Sequence, residues 1–181
     1  MRMALSPSSA FYRQFIIKNI GRFDKETTEV LIKQNLNKTI SQDAIDELFK
    51  RTAGIPFYVQ FIGRELSRFT TDRISAQDVL KAFDNLLNEE GDLLFTEEFK
   101  ALSDKERWIL SVMAVNSLEA PGEICKAVNE NSNVVSRYLS YFIEKGIVEK
   151  REKGKYQFID PVFEQWLIKK YGDIEGLPTN L

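Results

Sequence analysis

The stretch from residue 121 to residue 160, PGEICKAVNENSNVVSRYLSYFIEKGIVEKREKGKYQFID, decides the fold of the second half of the chain. Four apolar residues in it follow the i, i+4, i+7, i+8 spacing of one helical face: Val135, Leu139, Phe142 and Ile143. They predict a helix over about 133–145. Asn131 or Ser132 is placed to cap its first turn, and Gly146 suits the position just past its end.

The elements around this helix follow a recognisable order. A shorter helix begins at Pro121, and two strand-like runs follow at 147–151 and 156–159, with 152–155 as the tip between them. Helix, turn, helix and hairpin in this order predict a winged helix-turn-helix domain, which we place at 103–171. In such domains the second helix of the helix-turn-helix enters the DNA major groove.

The predicted helix carries small and hydrogen-bonding residues on its other face: Asn133, Ser136, Arg137 and Ser140. The predicted wing carries four bases: Lys150, Arg151, Lys153 and Lys155. Because phosphate contacts by Lys and Arg supply most non-specific DNA affinity, these eight residues are the candidate contacts to double-stranded DNA. From 130 to 157 there are six bases against four acids, so the local charge is only slightly positive. Winged helices that bind only protein keep a second interpretation open.

Composition excludes several functional classes. The chain has 181 residues, 43% hydrophobic and 29% charged, as in ordinary globular proteins. Its net charge is −2 and its isoelectric point is about 5.4, so any nucleic-acid surface must be a local patch. No apolar run approaches the length of a membrane span or of a signal peptide. We therefore expect a cytoplasmic protein with no membrane partner.

Catalytic and metal-binding patterns are missing from the sequence. With Cys125 as the single cysteine and no histidine, an intramolecular disulfide, a Cys/His zinc site and Ser-His or Cys-His catalysis are excluded. A phosphate loop needs a Gly-rich turn ending in GK[ST], but the only GK, Gly154-Lys155, precedes Tyr156. We expect no metal, no cofactor of its own and no enzyme activity from this chain alone.

The first half of the chain is predicted to be a four-helix unit over 24–90. Its helices cover DKETTEVLIKQNL, SQDAIDELFKRTA, PFYVQFIGRELSRF and SAQDVLKAFDNLLNE, opened in turn by Asp24, Ser41, Pro56 and Ser75. Val30 and Leu31 are apolar residues of the first helix. A connecting helix follows at 91–102, and Ser103 opens the winged-helix domain with a capping box. The one strand-like segment expected outside the wing is 15–20, and 172–181 is expected to be a disordered tail.

The turn between the second and third helices carries a glycine and a proline two residues apart. Gly54 suits the end of one helix and Pro56 the first turn of the next, so a plain helix–turn–helix corner accounts for both. Gly63 inside the third helix costs roughly 1 kcal/mol against alanine. Close packing of a neighbouring helix is the expected reason for it.

Three features together resemble a known family. The Gly54-X-Pro56 corner, the winged helix downstream and the run YQFIDPVFEQW at 156–166 resemble the C-terminal part of archaeal P-loop ATPases of the AAA+/STAND type. The resemblance covers about residues 8–171 and implies a helical lid followed by a winged helix. It also implies that Gly54 and Pro56 lie near a bound nucleotide and that Arg64 is a candidate phosphate sensor. Ala53 stands where the family usually has another glycine.

The family's core, with its phosphate loop, has no counterpart in this sequence, although residues 1–23 resemble the end of that core. The resemblance therefore implies a truncated, split or excised ATPase that does not hydrolyse ATP alone. ATP or ADP would bind only with a core supplied by another chain or domain. Two other interpretations remain. One is a protein-interaction module that docks on a separate ATPase core or on a second copy. The other is a complete small transcriptional regulator, with 24–89 as a ligand or dimer domain.

Overall fold

The computed structural model describes residues 21–172, so the strand-like segment at 15–20 and the tail beyond Gly172 lie outside the described residues. Between these limits the chain folds into nine α-helices and two small sheets. The elements in chain order are α1 Lys25–Asn35, β1 Thr39–Ile40, α2 Gln42–Thr52, α3 Pro56–Arg68, β2 Arg73–Ile74, α4 Ala76–Glu89, α5 Gly91–Lys100, α6 Asp104–Val115, α7 Pro121–Ala127, α8 Ser132–Glu144, β3 Val148–Lys150, β4 Tyr156–Phe158 and α9 Pro161–Tyr171.

Helices α1 to α4 occupy the four positions predicted for the first half. The carboxylate of Asp24 accepts a hydrogen bond from the Thr27 amide at 2.7 Å, and Ser75 forms a capping box with Asp78, so both predicted caps are confirmed. In α1, Thr28 and Ile32 are buried, whereas the apolar residue Val30 is exposed.

A short parallel sheet inside the helical unit was not predicted. Thr39 pairs with Arg73 and Ile40 pairs with Ile74, which joins the loop after α1 to the loop after α3. Ser41 precedes α2 as predicted, but its hydroxyl donates to the Ile74 carbonyl at 3.1 Å and makes no cap bond to the helix. The expectation of no strand between residue 20 and the hairpin is therefore wrong. Two residues are too few for strand alternation to be visible in a sequence.

Helix α8 confirms the predicted cap and most of the predicted apolar face. The Asn131 side chain accepts a hydrogen bond from the Val134 amide at 3.0 Å, and Val135, Leu139 and Phe142 are fully buried. Ile143 is 41% exposed and is not part of the buried face. One residue step rotates a helical side chain by about 100°, which takes Ile143 out of the stripe centred on Phe142.

The antiparallel hairpin β3–β4 is shorter than predicted. Val148 pairs with Phe158 and Lys150 pairs with Tyr156, so each strand has three residues. A single 3₁₀ turn, Glu152–Gly154, forms the tip. The side of the hairpin that faces the core carries the buried residues Val148 and Phe158.

Helix α9 packs against helices from both halves of the chain. It contacts α2, α4, α5 and α6. The Trp166 indole N–H donates to Asp92 at 2.8 Å, and Arg51 donates to the Gln165 side chain at 3.3 Å. Gly91 lies so close that a Cβ there would be 2.8 Å from the Trp166 ring. One continuous apolar core consequently extends through both predicted units.

None of the helices between residues 21 and 172 has both the length and the apolar character needed to cross a bilayer.

Candidate nucleic-acid interface and the Gly54–Pro56 corner

The polar face of α8 lies on the surface. Its four predicted contact residues are all exposed: Asn133, Ser136, Arg137 and Ser140. The spacing of three or four residues places them on one side of the helix. Ser140 donates its hydroxyl proton to the Ser136 carbonyl at 2.9 Å, and the Arg137 guanidinium lies 5.9 Å from the centre of the Tyr138 ring. Arg137 forms no ion pair with any residue of the described part of the chain.

An acid shares this face and was not singled out in the sequence analysis. Glu144 follows Ser140 by four residues and Arg137 by seven, so it points to the same side of α8. It is exposed, and it forms no ion pair within 21–172. Helical spacing alone would have identified it. Glu144 adds a negative charge to the C-terminal end of the polar face of α8.

The four bases of the hairpin are not equivalent. Arg151 pairs with Glu149 at 2.6 Å, and Lys155 pairs with Glu119 at 2.7 Å. Lys150 and Lys153 are exposed and form no ion pair among the described residues. These two lysines are therefore the hairpin bases best able to reach a phosphate.

The hairpin is attached to the loop between α6 and α7. The Tyr156 amide donates to the Glu119 carbonyl at 2.8 Å, next to the Lys155–Glu119 ion pair. At the tip, Lys153 and Gly154 both adopt positive φ, 60° and 73°. The tip is thus a tight turn that presents the Lys153 side chain to solvent.

Glu164 of α9 lies near Glu119, the acid that pairs with Lys155. Burial raises the pKa of its carboxyl above the ordinary value of 4.5, and the Glu119 charge raises it further. A raised pKa means that the folded state holds this proton more tightly than the unfolded chain. The stabilisation is complete below pH 4.5 and is lost as the pH rises through the folded-state pKa.

Glu164→Gln is therefore expected to increase the free energy of unfolding at pH 7 and to have no such effect at pH 4. Urea unfolding followed by circular dichroism at the two pH values measures this difference. Glu144→Gln is the control, because Glu144 is exposed and should change stability by less than about 0.5 kcal/mol at either pH. An equal effect of Glu164→Gln at both pH values would contradict the assigned cause.

The corner between α2 and α3 is built on left-handed backbone. Ala53 has φ 46° and Gly54 has φ 68°, and Pro56 occupies the first turn of α3 as predicted. The Gly54 carbonyl accepts a hydrogen bond from the Phe23 amide at 2.8 Å. A Cβ at Gly54 would lie 1.9 Å from the Phe23 carbonyl oxygen. Gly54 is thus required by close backbone contact as well as by its φ.

Arg64 lies about 12 Å further along α3 than Pro56, at 1.5 Å per residue. Its guanidinium is over the Phe61 ring at 4.7 Å and lies 3.9 Å from the Glu65 carboxylate. It lines a groove of about 350 Å³ between α1 and α3, whose floor includes Ile32, Val59 and Gly63. The closeness of Ile32 to Gly63 explains the small residue there, since a Cβ would lie 3.0 Å from the Ile32 side chain. The nucleotide-proximal roles of Gly54, Pro56 and Arg64 stay predictions.

One hydrogen bond between the two halves of the chain could not be predicted from the sequence pattern. The Tyr58 hydroxyl donates to the Asp160 carboxylate at 2.6 Å, across 102 residues. Asp160 was identified as a helix cap and as part of the family resemblance, but nothing in the spacing pointed to Tyr58. No group of three His, Cys, Asp or Glu residues in 21–172 is arranged to hold a metal ion.

Comparison with known proteins found one family model and several solved structures similar to this chain. The family described as "Domain of unknown function (DUF8462)" matches residues 92–167. No curated protein matches the chain. Among solved structures, the Walker-type ATPase of Pyrococcus abyssi is similar with a TM-score of 0.61 and 18% sequence identity. The similarity covers 91% of this chain and 47% of that ATPase, so the chain spans about half the length of its structural neighbour.

Two structures of the Holliday junction branch migration motor RuvB of Thermotoga maritima, one of them a point mutant, are more distant. They have TM-scores of 0.34 and 0.35 at 17% and 16% identity, over 75% of this chain and 46% of theirs. TM-scores this low do not establish a shared fold, so nothing is inferred from these two structures. At 18% identity, the likeness to the Pyrococcus abyssi ATPase establishes a shared fold and nothing about activity.

Proposed function

We propose that this chain is the helical lid and winged-helix region of an archaeal-type ATPase of the AAA+/STAND kind, and that its winged helix, α6–α8 with the hairpin β3–β4, binds double-stranded DNA. The fold shared with half of a Walker-type ATPase supports the first part. The second part depends on one observation. The exposed face of α8 carries Arg137, and the hairpin carries Lys150 and Lys153, all without ion pairs inside 21–172.

In this proposal α8 enters the major groove with its N-terminal half. Arg137 is suited to a bidentate hydrogen bond with guanine, and Asn133 to one with adenine. Ser136 and Ser140 border them, and Lys150 and Lys153 meet backbone phosphates. Arg151 and Lys155 contribute less, because each must first leave the acid with which it is paired.

Fluorescence anisotropy of a labelled random-sequence duplex tests this proposal, first at low and then at moderate salt. We expect binding that weakens steeply with salt. Arg137→Ala combined with Lys153→Ala should lower the affinity about tenfold or more, because one base contact and one phosphate contact are lost. It should reduce the log–log salt slope by about 1, the share of the phosphate-contacting lysine.

The matched control removes the same charge elsewhere. Lys50→Ala combined with Lys81→Ala changes two exposed lysines on α2 and α4, and it should leave both affinity and slope nearly unchanged. If the two double variants weaken binding equally, only the net charge matters and the interface is wrong. Absence of binding even at low salt would overturn DNA binding altogether.

We further propose that the chain does not hydrolyse ATP alone. The proposal is supported by the sequence, which contains no GK[ST] turn to hold the phosphates and magnesium. ATP or ADP would then require a core from another chain or domain. Phosphate release from ATP in the presence of magnesium should equal that of a protein-free blank, and turnover that persists through purification would refute this.

Docking on a separate ATPase core or on a second copy is the second candidate. Phe57 favours it, because this large apolar side chain is 47% exposed beside the Gly54–Pro56 corner. Sedimentation equilibrium at increasing concentration tests docking on a second copy. We expect self-association that Phe57→Ser weakens, and a strict monomer at high concentration would count against this form of docking.

A further inference from the structure

Tyr58 connects the helical unit to the base of the hairpin. It lies in the first turn of α3, two residues after Pro56, and is only 5% exposed. Its hydroxyl donates to one oxygen of Asp160, the residue between β4 and α9. The other Asp160 oxygen caps α9 by accepting from the amides of Val162 at 2.8 Å and Phe163 at 3.3 Å. One carboxylate therefore ties α3, the end of the hairpin and the start of α9 together.

Arg22 makes a second connection at the adjacent residue. Its guanidinium donates to the Ile159 carbonyl at 2.5 Å. The Ile159 amide in turn donates to the Ile147 carbonyl at 3.0 Å, so both ends of the hairpin base are held at this point. Arg22 precedes Phe23, whose amide is bonded to the Gly54 carbonyl. The segment that carries Arg22 thus rests on the Gly54–Pro56 corner.

The hairpin has little internal stability of its own. Two strands of three residues form a marginal sheet in isolation, so external contacts determine how it is held. The Glu119 contacts hold it on the side of the tip, and the Tyr58 and Arg22 contacts hold its base. Tyr58 is a dependable donor, because burial and the Asp160 charge raise the pKa of its hydroxyl far above the ordinary value of 10.0.

We infer that Tyr58 and Arg22 are positioning residues that hold the hairpin at the angle at which Lys150 and Lys153 reach the same duplex as Arg137. This inference rests on the proposed DNA binding and assigns part of that function to the helical unit. This assignment predicts a separable effect on DNA binding. Removing the Tyr58 hydroxyl should cost the contribution of the hairpin lysines and leave that of α8 intact.

Amide hydrogen exchange, followed by NMR, tests the positioning without DNA. In Tyr58→Phe with Arg22→Gln, the amide of Ile159 should exchange about tenfold faster or more, the factor expected when a hydrogen bond to a charged group is lost. The amide of Leu139 in α8 should keep its rate. Tyr171→Phe is the control, because it removes a hydroxyl that makes no hydrogen bond within 21–172. Unchanged exchange at Ile159, or an equal rise at Leu139, would overturn the inference.

A double-mutant cycle on duplex affinity tests the link to DNA. Tyr58→Phe, which changes no charge, should lower the salt slope by about 1 to 2. Added to Lys150→Ala with Lys153→Ala it should cause no further loss, whereas added to Arg137→Ala its effect should be additive. Additivity with the lysine variants would overturn the assigned role. If the wild-type protein binds no duplex, the proposed function fails, and the exchange experiment alone decides whether the helical unit positions the hairpin.

Discussion

Replacing Gly54 with alanine is expected to destabilise the protein by about 3 kcal/mol or more, which corresponds to a fall in Tm of about 6–12 °C for a chain of this size. Two costs add together. Alanine at φ 68° carries the left-handed penalty of about 1–2 kcal/mol. Its Cβ would also lie 1.9 Å from the Phe23 carbonyl oxygen, so the Phe23–Gly54 hydrogen bond must break or the corner must shift.

Alanine substitutions at two other glycines distinguish the backbone penalty from the cost of the close contact. Gly146 has φ 71° and no atom within 4 Å of an added Cβ, so Gly146→Ala should show the backbone cost alone, about 1 kcal/mol. Gly122 has neither restriction, and Gly122→Ala in α7 should be neutral or slightly stabilising. Thermal and urea unfolding of the three variants gives the comparison. A loss at Gly54 no larger than that at Gly146 would contradict the close contact with Phe23.

Phe142→Ala is expected to cost about 3–5 kcal/mol, the usual range for removing a fully buried phenylalanine. Phe142 lies beneath the exposed face of α8 and contacts the rings of Tyr138 and Tyr141. The cavity left by its removal would lie under the surface proposed to bind DNA. Urea unfolding measures the loss.

The next residue along the helix provides the control. Ile143 is also apolar but is 41% exposed, so Ile143→Ala should cost only about 1 kcal/mol or less, well below the loss at Phe142. The contrast between adjacent residues tests the orientation of α8 about its axis. Comparable losses at both positions would mean that Ile143 is buried in solution, as its spacing in the sequence had predicted.

For most helices, residues close together in the sequence were sufficient to predict where the helix begins and which side is buried. The caps at Asp24, Ser75, Ser103 and Asn131 were predicted because a side chain and an amide three residues apart form a contact that needs no distant partner. The period of apolar residues likewise placed the buried side of α8. The structure shows all eight predicted DNA contacts to be exposed, while their contact with DNA stays a prediction.

Predictions failed where a distant segment decides the outcome. The hydroxyl of Ser41 bonds to Ile74, because the loop after α3 forms a parallel pair with the loop after α1. Lys155 looks equivalent to Lys150 and Lys153 in the sequence, but Glu119, which lies 36 residues away in the loop between α6 and α7, pairs with it. Its contact with DNA stays a prediction. No periodic pattern encodes such partners, since they are brought together only when the helices pack.

The sequence by itself determined the nature and order of the helices, the hairpin after α8, the glycine–proline corner and the absence of a phosphate loop. These features depend on residues within one or two turns of each other, or on composition. Only the tertiary structure decided that α9 packs against both halves, that Gly54 rests on Phe23, and that Tyr58 and Arg22 hold the base of the hairpin. Such contacts join residues tens of positions apart, and their energy comes from close packing and buried hydrogen bonds that exist only in the folded chain.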